Sequence, residues 1–181
     1  MRNVRIPVLV PIFALMLTSV AHAQQSVAFT DTTQTTTMTA NVSEQARVAF
    51  PAGVTFNVTD VGSSTAANSA SVAVSGIVLS TATKQLKVSL QANAASFTPP
   101  VGGATTWSAG DVTWDAPSWT NATGASGTLN NAAYNTVATC AADVAACSTT
   151  DLVFTLGAKS AVQRAGSHTL VVTWKFESIG S

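Results

Sequence analysis

Hydrophobic residues fall at every second position along much of this chain. Val54, Phe56 and Val58 alternate with Thr55, Asn57 and Thr59, and Leu86, Val88 and Leu90 alternate with Lys87, Ser89 and Gln91. Leu152, Phe154 and Leu156 repeat the pattern, and Leu170, Val172, Trp174 and Phe176 carry it to the end of the sequence. In a strand, successive side chains point to opposite faces, so each run predicts a strand with one face on a core and one in water. Weaker patterns predict strands at residues 69–79, 111–114 and 132–139, with Gly76 marking a bulge in the first. Turn-forming clusters separate them, among them Pro51-Ala52-Gly53, Pro99-Pro100-Val101-Gly102-Gly103 and Thr123-Gly124-Ala125-Ser126-Gly127. No helical period is sustained; a short helical turn is expected only near residues 131–133 or between Cys140 and Cys147. Many short strands at fairly even spacing predict an all-β chain, an antiparallel β-sandwich of the immunoglobulin-like kind, with a jelly roll as the alternative.

The amino terminus departs from this pattern. Arg2 and Arg5 precede an apolar run at residues 6–20, and Ala21-His22-Ala23 follows. A charged start, an apolar middle and small residues at a cut site make a secretory signal peptide over residues 1–23. The run is shorter than the roughly 20 residues that span a bilayer and is interrupted by Pro7 and Pro11. The expected product is exported, to the periplasm or to the cell surface and beyond, with no stable membrane span after cleavage. Residues 24–45 are rich in threonine, with Val27, Phe29, Met38, Ala40 and Val42 spaced among polar neighbours. They form either a polar leader with a first strand or a β-competent arm that pairs with a neighbouring subunit. Residues 46–181 then hold the sandwich domain.

Composition narrows the function. Removing Arg2 and Arg5 from the eight Lys/Arg leaves six against eight Asp/Glu. That slight acidity, with charges scattered singly, excludes the basic stripe that nucleic-acid binding needs. The two cysteines, Cys140 and Cys147, are an isolated pair in a chain expected to be exported, and they predict a disulfide closing one short loop.

Catalytic and cofactor chemistry finds little purchase. His168 is the one histidine beyond the signal peptide, and Ser167 and Thr169 beside it point away from it on a strand. It reads as a strand-end residue with a solvated ring. Asp111 and Asp115, the one close acidic pair, would share a strand face about 13 Å apart, too far for a retaining carboxylate pair. No G-x-S-x-G elbow, H-E-x-x-H pair or phosphate loop is present, so no enzyme, cofactor or metal site is expected. Trp107, Trp114 and Trp119 are clustered among small and polar residues. Their faces could stack on sugar rings while Asp111 and Asp115 bind hydroxyls, giving a glycan platform; the other reading has the indoles covering the core with their N–H groups bonded at its rim.

The signal peptide, the Thr/Ala/Ser-rich strands and the Ala165-Gly166-Ser167-His168-Thr169-Leu170-Val171-Val172 entry to the last strand resemble secreted bacterial β-sandwich surface subunits, including pilus- and matrix-fibre-type proteins. The cysteines depart from the chaperone–usher pilin layout, in which they lie well apart near the start of the domain, and no functional residue carries over. The expected function is that of a non-enzymatic surface or extracellular structural protein, a self-assembling fibre, pilus-like or matrix subunit that partners itself through residues 24–45. The alternative is a carbohydrate-binding module with glycans as partners.

Overall fold

The computed structural model describes residue 33 and residues 35–180, so the expected signal peptide and residues 24–32 of the arm lie outside the described residues. The chain divides into two units, Met1–Ala40 and Asn41–Ser181. In the first, the described residues are exposed and belong to no strand.

The second unit is an antiparallel β-sandwich. Its strands are β1 (Gln45–Ala49), β2 (Thr65–Ala66), β3 (Ala70–Val78), β4 (Gln85–Ala92), β5 (Val112–Trp114), β6 (Ala122–Gly124), β7 (Gly127–Thr128), β8 (Asn135–Cys140), β9 (Ala146–Leu152), β10 (Phe154–Leu156) and β11 (Val172–Ile179). One layer joins β1-β3-β9 to β2-β10-β5-β7, since only Val153 separates β9 from β10. The facing layer runs β11-β4-β8-β6. The inward set matches the alternation in the sequence: Val72 and Val74 from β3, Leu86, Val88 and Leu90 from β4, Val112 and Trp114 from β5, and Leu152, Phe154 and Leu156 from β9 and β10 form one buried cluster. Burying such side chains stabilises by about 1.5–3 kcal/mol each, and this cluster is what holds the layers together. The Cys140–Cys147 disulfide ties the end of β8 to the start of β9 across their connecting loop. Among the described residues, no helix is long and apolar enough to cross a membrane.

One local expectation holds in detail. Gly76 has φ +57°, and the β1–β3 register slips beside it, with Gln45 opposite Val78 but Arg47 opposite Ser75. A bulge there needs the left-handed backbone that glycine adopts without strain.

Two local expectations are corrected. Residues 54–59 form no strand, although Phe56 and Val58 turn inward and Thr55, Asn57 and Thr59 outward as a strand would place them. A strand needs a hydrogen-bonded neighbour, and among the described residues this segment joins no ladder. Residues 131–133 bend instead of turning helically, because the Asn130 side-chain carbonyl accepts the Ala132 and Ala133 N–H groups at 2.9 and 2.8 Å. The 3-10 turn lies at Ala109–Asp111 instead.

Candidate functional site

A groove of about 940 Å³ runs between the two layers. Its walls come from stretches more than a hundred positions apart. Residues 50–58 form one wall and residues 164–174 the other. The floor is the core itself: Leu90 of β4, Val112 of β5, Leu129, and Phe154 and Leu156 of β10, each buried. The groove thus runs beside the core, and the apolar side chains it leaves exposed are those of its walls, Phe50, Val54 and Val171.

Strand order explains why the groove is open. β11 is an outer strand of its layer, paired on one side with β4 from Val172↔Ala92 to Ile179↔Gln85, and its other edge pairs with no strand among the described residues. β1 is the outer strand of the facing layer. The chain leaving β1 passes along the groove without entering a ladder. Phe50, the first residue after β1, bridges the mouth: its ring lies 6.0 Å from Trp174 and 6.1 Å from Phe176. Every residue of β11 is half-buried, on both of its faces. An outer strand with an apolar inward face and an unsatisfied edge is a template for a further strand.

One end of the groove is polar. Thr106 Oγ1 and His168 Nδ1 share a 2.7 Å hydrogen bond, His168 Nε2 lies 3.1 Å from the Arg164 carbonyl oxygen, and the imidazole sits edge-on to Trp107 with ring centres 5.3 Å apart. The solvated ring expected from sequence is therefore corrected: both ring nitrogens are bonded, and the ring helps fix the loop that forms the groove wall.

The three tryptophans do not form a platform. Trp107 is 5% exposed and Trp114 is 2% exposed. Their N–H groups donate to the Gly157 and Ala125 carbonyls at 3.0 and 2.9 Å. Stacking on sugar needs an indole face in water, and these two faces are in the core. Trp114 packs so closely on Gly127 that a β-carbon there would lie 2.3 Å from its ring, which is why that position has no side chain. Trp119 is half-buried, and its N–H has no acceptor among the described residues.

The two aspartates are also separated in role. Asp111 Oδ2 accepts from Ser108 N–H at 2.7 Å, Ser108 hydroxyl at 2.8 Å and Lys159 ammonium at 2.8 Å. Burial pushes this carboxyl up, but the Lys159 and Ser108 hydrogen bonds outweigh it and hold it below the usual carboxylate range. It is a structural clasp between the 3-10 turn and the segment after β10. Asp115 lies exposed beyond β5. Among the described residues, no three His, Cys, Asp or Glu side chains come together as metal ligands would.

Residues 35–44 complete the inventory. All are exposed, and none belongs to a strand, with Met38 93% and Val42 71% exposed. Comparison with protein families, with curated proteins and with solved structures finds no match.

Proposed function

We propose that this chain is an exported, non-enzymatic structural subunit, assembling with copies of itself at the cell surface or outside the cell. The observation that carries this reading is an outer strand, β11, beside a groove of about 940 Å³ whose walls expose Phe50, Val54 and Val171, in a chain that also carries an exposed β-competent arm. In a lone subunit the groove walls leave Phe50, Val54 and Val171 in contact with water, at a cost of about 25 cal/mol per Å² of apolar surface, and assembly would remove that cost. The disulfide and the signal-like amino terminus support export.

Light scattering followed by negative-stain microscopy of residues 24–181 tests this. Filaments or large regular assemblies are expected. A particle that stays monomeric at every concentration refutes the reading.

A further inference from the structure

We infer that the groove is the acceptor for the amino-terminal arm of a second copy of this chain, with Met38 as the side chain that enters it. This rests on the self-assembly reading above and adds which surface takes which segment.

The acceptor lacks one strand. Among the described residues, the outer edge of β11 offers backbone N–H and C=O groups that pair with no strand, and the opposite wall at residues 54–58 has strand-like alternation but no ladder. A single extended segment laid between them would pair with β11 and place every second side chain in the groove, against the exposed Phe50, Val54 and Val171 of its walls. Both departures from an ordinary sandwich, the open edge and the unpaired alternating segment, are accounted for by the same missing strand.

The arm supplies what that position requires. Thr36, Met38, Ala40 and Val42 fall on one face of an extended chain, and Thr35, Thr37, Thr39 and Asn41 on the other. The first set carries the apolar groups and the second remains hydrated. Residues 32–43 contain no charged side chain, so the arm can enter an apolar cleft without stripping water from an ion. Threonine adds strand propensity while keeping the free arm soluble.

Geometry favours a second copy over the arm's own domain. The arm joins the sandwich at Glu44, whose carboxylate accepts from Ser80 N–H and Lys84 ammonium, both at 2.8 Å. That anchor is at the start of β1, whereas the groove opens at Phe50 past its far end, about 20 Å along an extended chain. The arm would have to reverse at its anchor to reach its own groove. An arm from a neighbour enters without a reversal, and because donor and acceptor are different surfaces the contact is head-to-tail and propagates.

Mixed-copy crosslinking tests the assignment. One preparation of residues 24–181 carries Met38→Cys; a second, distinguishable by mass, carries Leu170→Cys or Val172→Cys on the groove wall, or Thr123→Cys on the opposite edge of that layer as a control. The two are mixed and oxidised under conditions that leave Cys140–Cys147 intact. The expected result is a heterodimer with the groove cysteines at a yield roughly ten times that with Thr123→Cys, and loss of assembly in Met38→Asp, a change in the exposed arm that leaves the sandwich core untouched. Assemblies that form with no preference for the groove cysteines overturn this inference and leave the self-assembly reading standing. Intramolecular bridging in a single chain carrying both Met38→Cys and Val172→Cys, with monomers throughout, overturns both.

Discussion

Phe50 meets Trp174 across the open side of the sandwich, ring centres 6.0 Å apart and planes tilted by 35°. One ring follows the outer strand of one layer, and the other belongs to the outer strand of the facing layer. The pair spans the gap that hydrogen bonds do not close. Phe50 is 49% exposed, so truncation removes only part of a buried phenylalanine's contribution. Phe50→Ala is expected to lower unfolding free energy by about 1–2 kcal/mol, below the 3–5 kcal/mol of a fully buried ring. Urea denaturation monitored by Trp fluorescence reads this directly. A loss above about 3 kcal/mol would show that the ring is part of the core proper.

The contact between Trp114 and Gly127 gives a sharper test of packing. A methyl group at Gly127 has no room beside the indole, and the ring is held by its hydrogen bond to Ala125. Gly127→Ala is expected to destabilise by about 1–3 kcal/mol, the usual range for overpacking, or more if the ring cannot shift. Trp114→Phe frees space there while sacrificing buried area. In a double-mutant cycle the two changes are expected to cost less together than the sum of each alone, with a coupling above about 0.5 kcal/mol. Strict additivity would contradict the close approach.

Reduction of Cys140–Cys147 releases a loop whose cysteines are seven positions apart. Chain entropy predicts a loss of about 2.5 kcal/mol. Both cysteines are buried in the core cluster, but that cluster draws on many other side chains from both layers, so the reduced protein is expected to stay folded with an unchanged far-ultraviolet circular dichroism spectrum. Unfolding on reduction at 25 °C would show that the disulfide staples the whole sandwich.

Acid should weaken the fold in a defined window. Hydrogen bonds from Lys84 and Ser80 lower Glu44 from an ordinary 4.5 to about 2, and Lys175 and Lys87 hold Glu177 below its ordinary range. Carboxyls depressed in the fold bind fewer protons than they do in the unfolded chain. Their stabilisation is therefore complete above the ordinary carboxylate range and lost as pH falls through the folded values. Stability is expected to be level above about pH 5 and to decline toward pH 2, and Glu44→Gln should flatten that decline. Urea midpoints measured at half-unit pH steps decide it; an unchanged slope in the variant would remove Glu44 from the account.

Where local alternation meets a partner strand, the sequence pattern and the fold agree. Leu86, Val88 and Leu90 face inward, as do Leu152, Phe154 and Leu156, because period-two hydrophobicity is satisfied directly by a sheet face. Residues 54–59 carry the same pattern and form no strand, since pairing depends on what lies alongside and no local signal encodes that. The groove was hidden for the same reason: its walls are far apart in sequence, and an open edge exists only once strand order is set. The tryptophans were misleading as a sugar platform because their neighbours in sequence are small and polar, whereas their neighbours in space are the Gly127 backbone and the carbonyls of Ala125 and Gly157. The glycines of Thr123-Gly124-Ala125-Ser126-Gly127 were the available clue, since a residue without a side chain beside a tryptophan-rich stretch leaves room for an indole.

The measurement that tests the central claim most directly is sedimentation velocity of residues 24–181 beside the Met38→Asp variant across a hundredfold range of concentration. Wild-type protein is expected to form species larger than the monomer that grow with concentration, while the variant remains monomeric with the same thermal midpoint as the dissociated wild type. Identical sedimentation of the two, whether both assemble or neither does, would contradict an arm that fills a neighbour's groove.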